Sequence, residues 1–467
     1  MFRILIGLTV FIGCVKCSQS WASQTPKPTH PNIVLVVADD LGWGDVAYNG
    51  HPHVKTPSLD DMASKGLRFN RFYAAHPVCS PTRGSIMTGR HPARYGCFNP
   101  NYSIRPQEFT LAQLLKMAGY HTGHFGKWHL GPVKANTPIN PGACGFDTWV
   151  SHDNWFDLNP SLSRNGNEPQ KIEGESSDVV MDEALKWISN KAKGENPFFA
   201  FVCFASPHLP HKATDKDRKP YRKLSTKMQN YLGEITALDR AVGKLRSELR
   251  KLGIAENTIV IFCGDNGAKG PEGSTGGLRG FKGSIWEGGV RVPGLMEWPA
   301  RIKKGRTTGV PCVTSDFFPT VVDLLQVRRK HPGRVLDGIS LKPLIEGKMQ
   351  KRPEPIHFWR WRGSQKGAFY LPLALRKGWW RTFNNRKYSN PRTMNFSGHA
   401  AIVDNNYKLH QLKPGKFELY DLVADSKESN DIAKKHPDLV RRLARQLNEW
   451  QASVERSLAE EDYKERP

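Results

Sequence analysis

The residues best equipped for chemistry lie in Cys79-Ser80-Pro81-Thr82-Arg83-Gly84-Ser85-Ile86-Met87-Thr88-Gly89-Arg90. Proline suits the first helical position, where its fixed φ fits and its missing N–H is not needed, so Pro81 predicts a helix starting there. Cys79 then sits just ahead of a helix start, where free N–H groups and the positive end of the helix dipole gather anions. Arg83 falls one turn in, on a side that looks back at Cys79. An anion held there meets a sulfur nucleophile or its derivative, a guanidinium and a row of N–H donors. That set fits chemistry on a sulfate or phosphate ester. A buried cysteine beside a helix cap is the alternative.

Two other stretches end in oxygen ligands. Asn32-Ile33-Val34-Leu35-Val36-Val37-Ala38 runs into Asp39-Asp40, and Thr258-Ile259-Val260-Ile261-Phe262-Cys263-Gly264 runs into Asp265-Asn266. Continuous apolar runs of this kind read as strands of a parallel sheet buried on both faces. Paired acids at a strand end need a compensating cation to stay charged. An oxygen-only set suits a hard cation, calcium or magnesium. Parallel strands put their C-terminal ends on one rim, so residues far apart in sequence meet there. Lys127 and His129 are two apart, which on an extended chain puts them on one side. An ammonium beside an imidazole serves oxyanion binding and proton transfer. A further apolar run, 198–204, leads to Ser206-Pro207-His208-Leu209-Pro210-His211, which puts a histidine at the same rim.

The 79–90 stretch resembles the signature of the type I sulfatases, Cys-x-Pro-Ser/Thr-Arg followed by small residues and Thr-Gly-Arg. Gly-Lys-Trp-His-Leu-Gly at 126–131, the His-x-Pro of His208 and the Gly-Phe-Lys and Glu-Gly-Gly-Val-Arg-Val-Pro of 280–293 are similar to further elements of that family, in the same order. The wording is like that of arylsulfatase and N-acetylgalactosamine-6-sulfatase members, and the likeness runs from Asn32 to the final helix. The resemblance implies an α/β, alkaline-phosphatase-like fold. Its mixed, mostly parallel sheet is flanked by helices, with a smaller C-terminal subdomain of antiparallel sheet plus helix. It also implies hydrolysis of sulfate esters on a sulfated carbohydrate. A formylglycine-generating enzyme would oxidise Cys79 to formylglycine, whose hydrate attacks sulfur and whose second hydroxyl, absent from serine, then expels sulfate.

Residue roles follow from the same resemblance. Asp39, Asp40, Asp265 and Asn266, with residue 79, bind calcium, magnesium being the less favoured ion. Arg83 and Lys127 hold the formylglycine, and His129 helps release sulfate from it. His208, picked over His211 by the family's His-x-Pro element, and Lys282 grip the substrate sulfate and assist the leaving oxygen. His211 is left as a surface or subsite residue. Ser151, in Ser151-His152-Asp153, resembles a serine lining the sulfate pocket, with a plain turn as the alternative. Glu287 and Arg291 hold a turn.

The elements that position these groups are legible from periodicity. Helices are predicted over 58–66, capped by Ser58 with Asp61, and over 110–118, 177–193, 228–253, 316–325 and 437–454. Strands are predicted over 67–73, 357–361, 374–383 and 400–409, and 132–176 reads as a long loop region. Residues 1–22 read as a signal peptide ending near Ala22, with a lipoprotein signal around Cys14 or a membrane anchor as alternatives. Residues 23–350 then form the catalytic domain and 351–467 the C-terminal subdomain. The implied location is secreted or periplasmic, and no later stretch is apolar enough to cross a bilayer.

A net charge of +24 selects anionic partners: nucleic acid, anionic membrane or sulfated polysaccharide. No nucleic-acid-binding motif is present, and export disfavours that partner. The basic, aromatic stretch 359–393, with Trp359, Arg360, Trp361, Arg362, Trp379, Trp380 and Arg381, reads either as a sugar-stacking surface or as a sheet with an aromatic core. Of eight cysteines, two fall in the leader; with Cys79 committed the rest are odd in number, and no pairing is assigned. Two rival readings are a phosphatase or phosphonate hydrolase on the same scaffold, and a non-catalytic polyanion-binding protein.

Overall fold

The computed structural model describes residues 30–463 apart from 101, 332, 362–368, 371–382 and 385–397. The residues 1–22 read from sequence as a signal peptide, nearly all of the strand predicted over 374–383, and Arg362, Trp379, Trp380 and Arg381 lie outside the described residues.

A ten-stranded sheet organises the molecule, in the order Arg306–Thr308, Leu67–Phe69, Gly294–Glu297, Thr258–Gly264, Asn32–Ala38, Phe198–Cys203, His121–Lys127, Thr148–His152, Ser161–Arg164 and Gln170–Lys171. The strands from Thr258–Gly264 through Thr148–His152 are mutually parallel. Both acid-tipped runs are therefore neighbours, with Ala38 opposite Gly264, so the residues that follow each strand emerge side by side. Alternation along the first strand divides the core. Ile33, Leu35 and Val37 pack with Ile86, Met87, Leu114 and Phe317 on one face; Val34 and Val36 pack with Met62, Val180, Leu232 and Leu238 on the other. The amphipathic helix Thr226–Lys251 covers the second face, capped by the Ser225 hydroxyl, which accepts the Met228 N–H at 3.4 Å.

A second, antiparallel sheet orders Ile356–Trp361, Gly398–Asp404, Tyr407–Lys413 and Lys416–Asp421. Its Leu409 and Leu419 meet Leu443 and Leu447 of the helix Pro437–Leu458, while Ile356, Phe358, Ala401 and Val403 pack against Tyr73, Ala75, Ile285 and Val290. Both faces are thus buried, one of them against the segment that carries Lys282.

Several predicted elements differ in detail. The first helix is Pro57–Lys65, preceded by Thr56 rather than capped by Ser58. Asp239 of the long helix does the capping, accepting the N–H groups of Ser58 at 3.1 Å and Leu59 at 2.8 Å. The run 67–73 splits into Leu67–Phe69 in the main sheet and Phe72–Tyr73 in a small sheet with Arg291–Val292 and Cys312–Val313. The 132–176 region contains three strands of the main sheet, short and partly polar because they lie toward its edge. The run 400–409 is a hairpin, turned at Asn405 with φ +50°. The six described cysteines are all free and buried. Among the described residues no helix is long and apolar enough to cross a membrane.

Candidate active site

The helix that carries Cys79 begins at that residue, Cys79–Thr88, with Pro81 third rather than first. Proline fits there because the first four N–H groups of a helix have no partner within it. Every residue of this helix is buried, and Cys79 is 1% exposed. Burial pushes the Cys79 thiol up to about 12 although Lys127 and Lys282 favour its charge. An unmodified thiol is therefore a poor nucleophile here.

Around it the rim of the parallel sheet supplies its charges. Arg83 donates through Nε and Nη2 to Asp265 Oδ2 at 3.0 and 2.8 Å, and through Nη1 to the Lys127 carbonyl at 2.9 Å. Lys127 Nζ, at the end of its strand, donates to Asp39 Oδ2 at 2.6 Å. Lys282 Nζ donates to Cys79 Sγ at 3.1 Å and pairs with Asp40. Asn266 Nδ2 donates to Asp40 Oδ1 at 2.7 Å, and Asp265 Oδ1 accepts the Asp40 N–H at 3.2 Å. His208 Nε2 lies 3.7 Å from Asp40 Oδ2. Its Nδ1 is 2.6 Å from the Leu209 carbonyl, which can only accept, so that bond fixes a proton on Nδ1.

Three cations, Arg83, Lys127 and Lys282, thus face three acids, Asp39, Asp40 and Asp265. Burial works against charge on Asp39, but Lys127, His208 and Arg83 hold it well below the usual carboxylate range. Burial and the neighbouring Asp39 charge push Asp265 up to about 7. Asp40 and His129 take left-handed backbone conformations, φ +63° and +56°, which cost non-glycine residues roughly 1–3 kcal/mol each and are typical of functional sites.

The chain is consequently not extended at His129, and the two-residue spacing from Lys127 does not by itself align them. His129 nevertheless lies among the same charges: burial, Lys127 and Arg83 lower its pKa well below the usual value and keep it neutral. Ser151 is buried, with its hydroxyl 2.7 Å from His124 Nδ1. His211, read from sequence as a surface or subsite residue, has a side chain only 5% exposed, with Nδ1 3.7 Å from Glu234 Oε2. Glu287 and Arg291 do hold the turn: Glu287 takes the Tyr73 hydroxyl at 3.0 Å, and Arg291 Nε donates to the Asn70 carbonyl at 2.8 Å.

The cluster fits a divalent cation. Asp39, Asp40, Cys79 and His208 offer ligand atoms within 4.8 Å of one another. Asp39 Oδ1, Asp40 Oδ2 and Asn266 Oδ1 are buried oxygens with no hydrogen-bond partner, an expensive arrangement that a hard cation relieves. The sequence places a histidine just beyond a buried strand, on the rim that carries the acids; the loop after that strand sets the 3.7 Å approach of His208 to Asp40.

A mostly parallel sheet whose rim gathers acids, an amide and three cations around one cysteine defines a hydrolase of charged esters on the alkaline-phosphatase-like fold. The Sulfatase family model matches residues 31–327, and the chain belongs to that family of sulfuric ester hydrolases. It is 33% identical over 398 residues to the N-acetylgalactosamine-6-sulfatase of Canis lupus familiaris, covering 73% of this chain and 74% of the relative. It is 29% identical over 480 residues to the ulvan-active sulfatase of Formosa agariphila, covering 97% and 86%. Among solved structures, the crystal structure of Ps i-CgsB superposes with a TM-score of 0.77 at 27% identity, covering 94% of this chain and 98% of that one. A second structure of Ps i-CgsB, in complex with k-i-k-neocarrahexaose, gives 0.76.

Proposed function

We propose that this chain removes sulfate from a sulfated carbohydrate, using formylglycine made from Cys79 and a calcium ion held by Asp39, Asp40, Asp265 and Asn266. The observation that carries this reading is the convergence of Cys79 with buried, partnerless oxygens and fixed cations on one sheet rim. A carbohydrate substrate is supported by relatives named for N-acetylgalactosamine 6-sulfate and ulvan, and by the neocarrahexaose complex. Hydrated formylglycine supplies an oxygen nucleophile with a second hydroxyl, and calcium supplies charge that neutralises sulfuryl oxygens in the transition state.

The chain's own residues divide the remaining work. Arg83 and Lys127, fully buried against Asp265 and Asp39, would hold the formylglycine at residue 79. Lys282 and His208, with side chains 9% and 20% exposed, face the mouth and grip the incoming sulfate. The Lys282 ammonium assists the leaving oxygen, joined by His208 Nε2 when that ring carries a second proton besides the one on Nδ1, and neutral His129 takes a proton as sulfate departs. Ser151 remains a candidate lining residue of the sulfate pocket, its hydroxyl held 2.7 Å from His124 Nδ1. Export, read from residues 1–22, a maturation enzyme acting on Cys79, and a boundary near residue 350 complete the proposal.

The test is mass spectrometry of the peptide bearing residue 79, from a host with a formylglycine-generating enzyme, alongside assays on sulfated saccharides and on an aryl phosphate. We expect the aldehyde mass, turnover of a sulfated sugar, and a folded but inactive Cys79→Ala variant. An intact thiol on active protein would remove the mechanism, and a preference for phosphate would reassign the substrate.

A further inference from the structure

Buried charges that the mechanism does not use concentrate where the C-terminal sheet meets the segment 279–291. Lys408, Glu428, Glu287 and His410 all have side chains shut off from solvent. Lys408 Nζ lies 2.8 Å from Glu287 Oε1 and 3.2 Å from Glu428 Oε1. His410 Nε2 lies 2.6 Å from the same Glu428 oxygen, and the other one accepts the Glu287 N–H at 2.6 Å. Glu428 reaches this position with φ +54°, a strained conformation for a non-glycine residue.

The other end of the segment is fastened to the same place. Arg279 Nη1 donates to the Glu428 carbonyl at 3.1 Å, and its guanidinium lies 3.5 Å over the Trp286 ring. The Gly288 N–H closes the segment onto the Arg279 carbonyl at 2.8 Å. Lys282 sits between these anchors, its N–H on the Ala268 carbonyl at 2.9 Å, and its neighbour Gly283 donates to the Pro77 carbonyl at 2.8 Å. From there Lys282 Nζ reaches Cys79 Sγ at 3.1 Å.

Buried ion clusters stabilise little more than well-packed apolar side chains of the same volume. What they add is directionality, because an apolar contact tolerates sliding and a fully bonded carboxylate does not. We propose that Glu428 and Lys408 are positioning residues of the C-terminal sheet: acting through Glu287, they hold the 279–287 segment so that Lys282 Nζ meets residue 79 and a bound sulfate. The inference rests on the reading of Lys282 as a sulfate-binding residue.

A double-mutant cycle on the calcium-loaded full chain tests it, with inorganic sulfate as the probe in isothermal titration calorimetry and Tm recorded for each variant. Lys282→Ala and Glu428→Gln are each expected to weaken sulfate binding about tenfold, the order for losing or misaiming one charge-assisted bond. If Glu428 acts through Lys282, adding Glu428→Gln to Lys282→Ala weakens binding less than about twofold further. Wild-type affinity in Glu428→Gln, or full additivity of the two losses, would overturn the inference and leave the Lys282 assignment standing. Unchanged affinity in Lys282→Ala would overturn both. Arg279→Gln, on the half-exposed side of the same anchor, carries the identical cycle should Glu428→Gln not fold.

Discussion

Replacing Lys127 with methionine keeps the unbranched shape and most of the length of the side chain and removes its charge. In the folded protein Nζ lies 2.6 Å from Asp39 Oδ2, both side chains fully buried. The guanidinium of Arg83 stands 3.9 Å from the other Asp39 oxygen but is committed to Asp265 at 2.8 Å. Removing one partner of a buried ion pair costs about 3–5 kcal/mol, because the remaining charge is left uncompensated. Unfolding entropy scales with length, so for a chain of this size 1 kcal/mol moves Tm by roughly 1 °C. Lys127→Met should therefore melt about 3–5 °C below wild type in excess EDTA. A cation at a hundred times its Kd stabilises the folded state by about 2.7 kcal/mol. Calcium should raise the variant's Tm at least as much as the wild type's, since it meets a carboxylate that has lost its ammonium. Scanning calorimetry in EDTA and in calcium chloride reads both effects. Equal melting in EDTA would refute the claim that Lys127 compensates Asp39. A smaller calcium response in the variant would refute the claim that ammonium and cation serve the same carboxylate.

Other perturbations probe separate parts of the argument. Burial disfavours the charged form of Asp337, yet Arg94, bonded at 2.7 and 2.9 Å, holds its pKa well below the usual range. Its stabilisation is thus fully present above the unfolded carboxylate value of about 3.9 and is lost as pH falls through the folded value. Asp337→Asn should lower Tm by roughly 3–5 °C at pH 7 and shrink that deficit below about pH 4; a deficit constant with pH would contradict the pairing. A Cβ at Gly289 would stand 1.9 Å from the Ser284 carbonyl oxygen, whereas one at Gly309 meets nothing within 4 Å. Gly289→Ala should displace the Lys282 segment and reduce kcat/KM about 100-fold, with Gly309→Ala as the silent control; near-normal turnover in the first would show that the segment has slack.

Much of the site was legible because its chemistry sits directly after strands that could hardly be anything else. The runs 32–38 and 258–264 are too short and apolar for anything but buried strands, and their acids follow at once. Misplaced details trace to tertiary contacts that leave no local mark. Ser58 looked like a cap, but Asp239 supplies the cap to Leu59 from 180 residues away. The strands inside 132–176 are short and carry exposed polar residues, so alternation alone does not announce them. The 400–409 hairpin did carry a signal, Asp404-Asn405-Asn406, since asparagine tolerates the left-handed turn found at Asn405. Glu428 and Lys408 had no such signal. A charge destined for the interior looks like any surface charge until its partners are known.

The pairing of Asn32–Ala38 with Thr258–Gly264 also sets a timetable. Asp40 and Asn266 touch across 226 positions of sequence, so the first strand must wait for most of the chain before its neighbour exists. Contacts this distant bear a large loop-closure penalty and belong to slowly folding topologies. A nascent polypeptide halted before Gly264 would present an incomplete sheet with a bare flank, prone to clumping until the missing strand arrives.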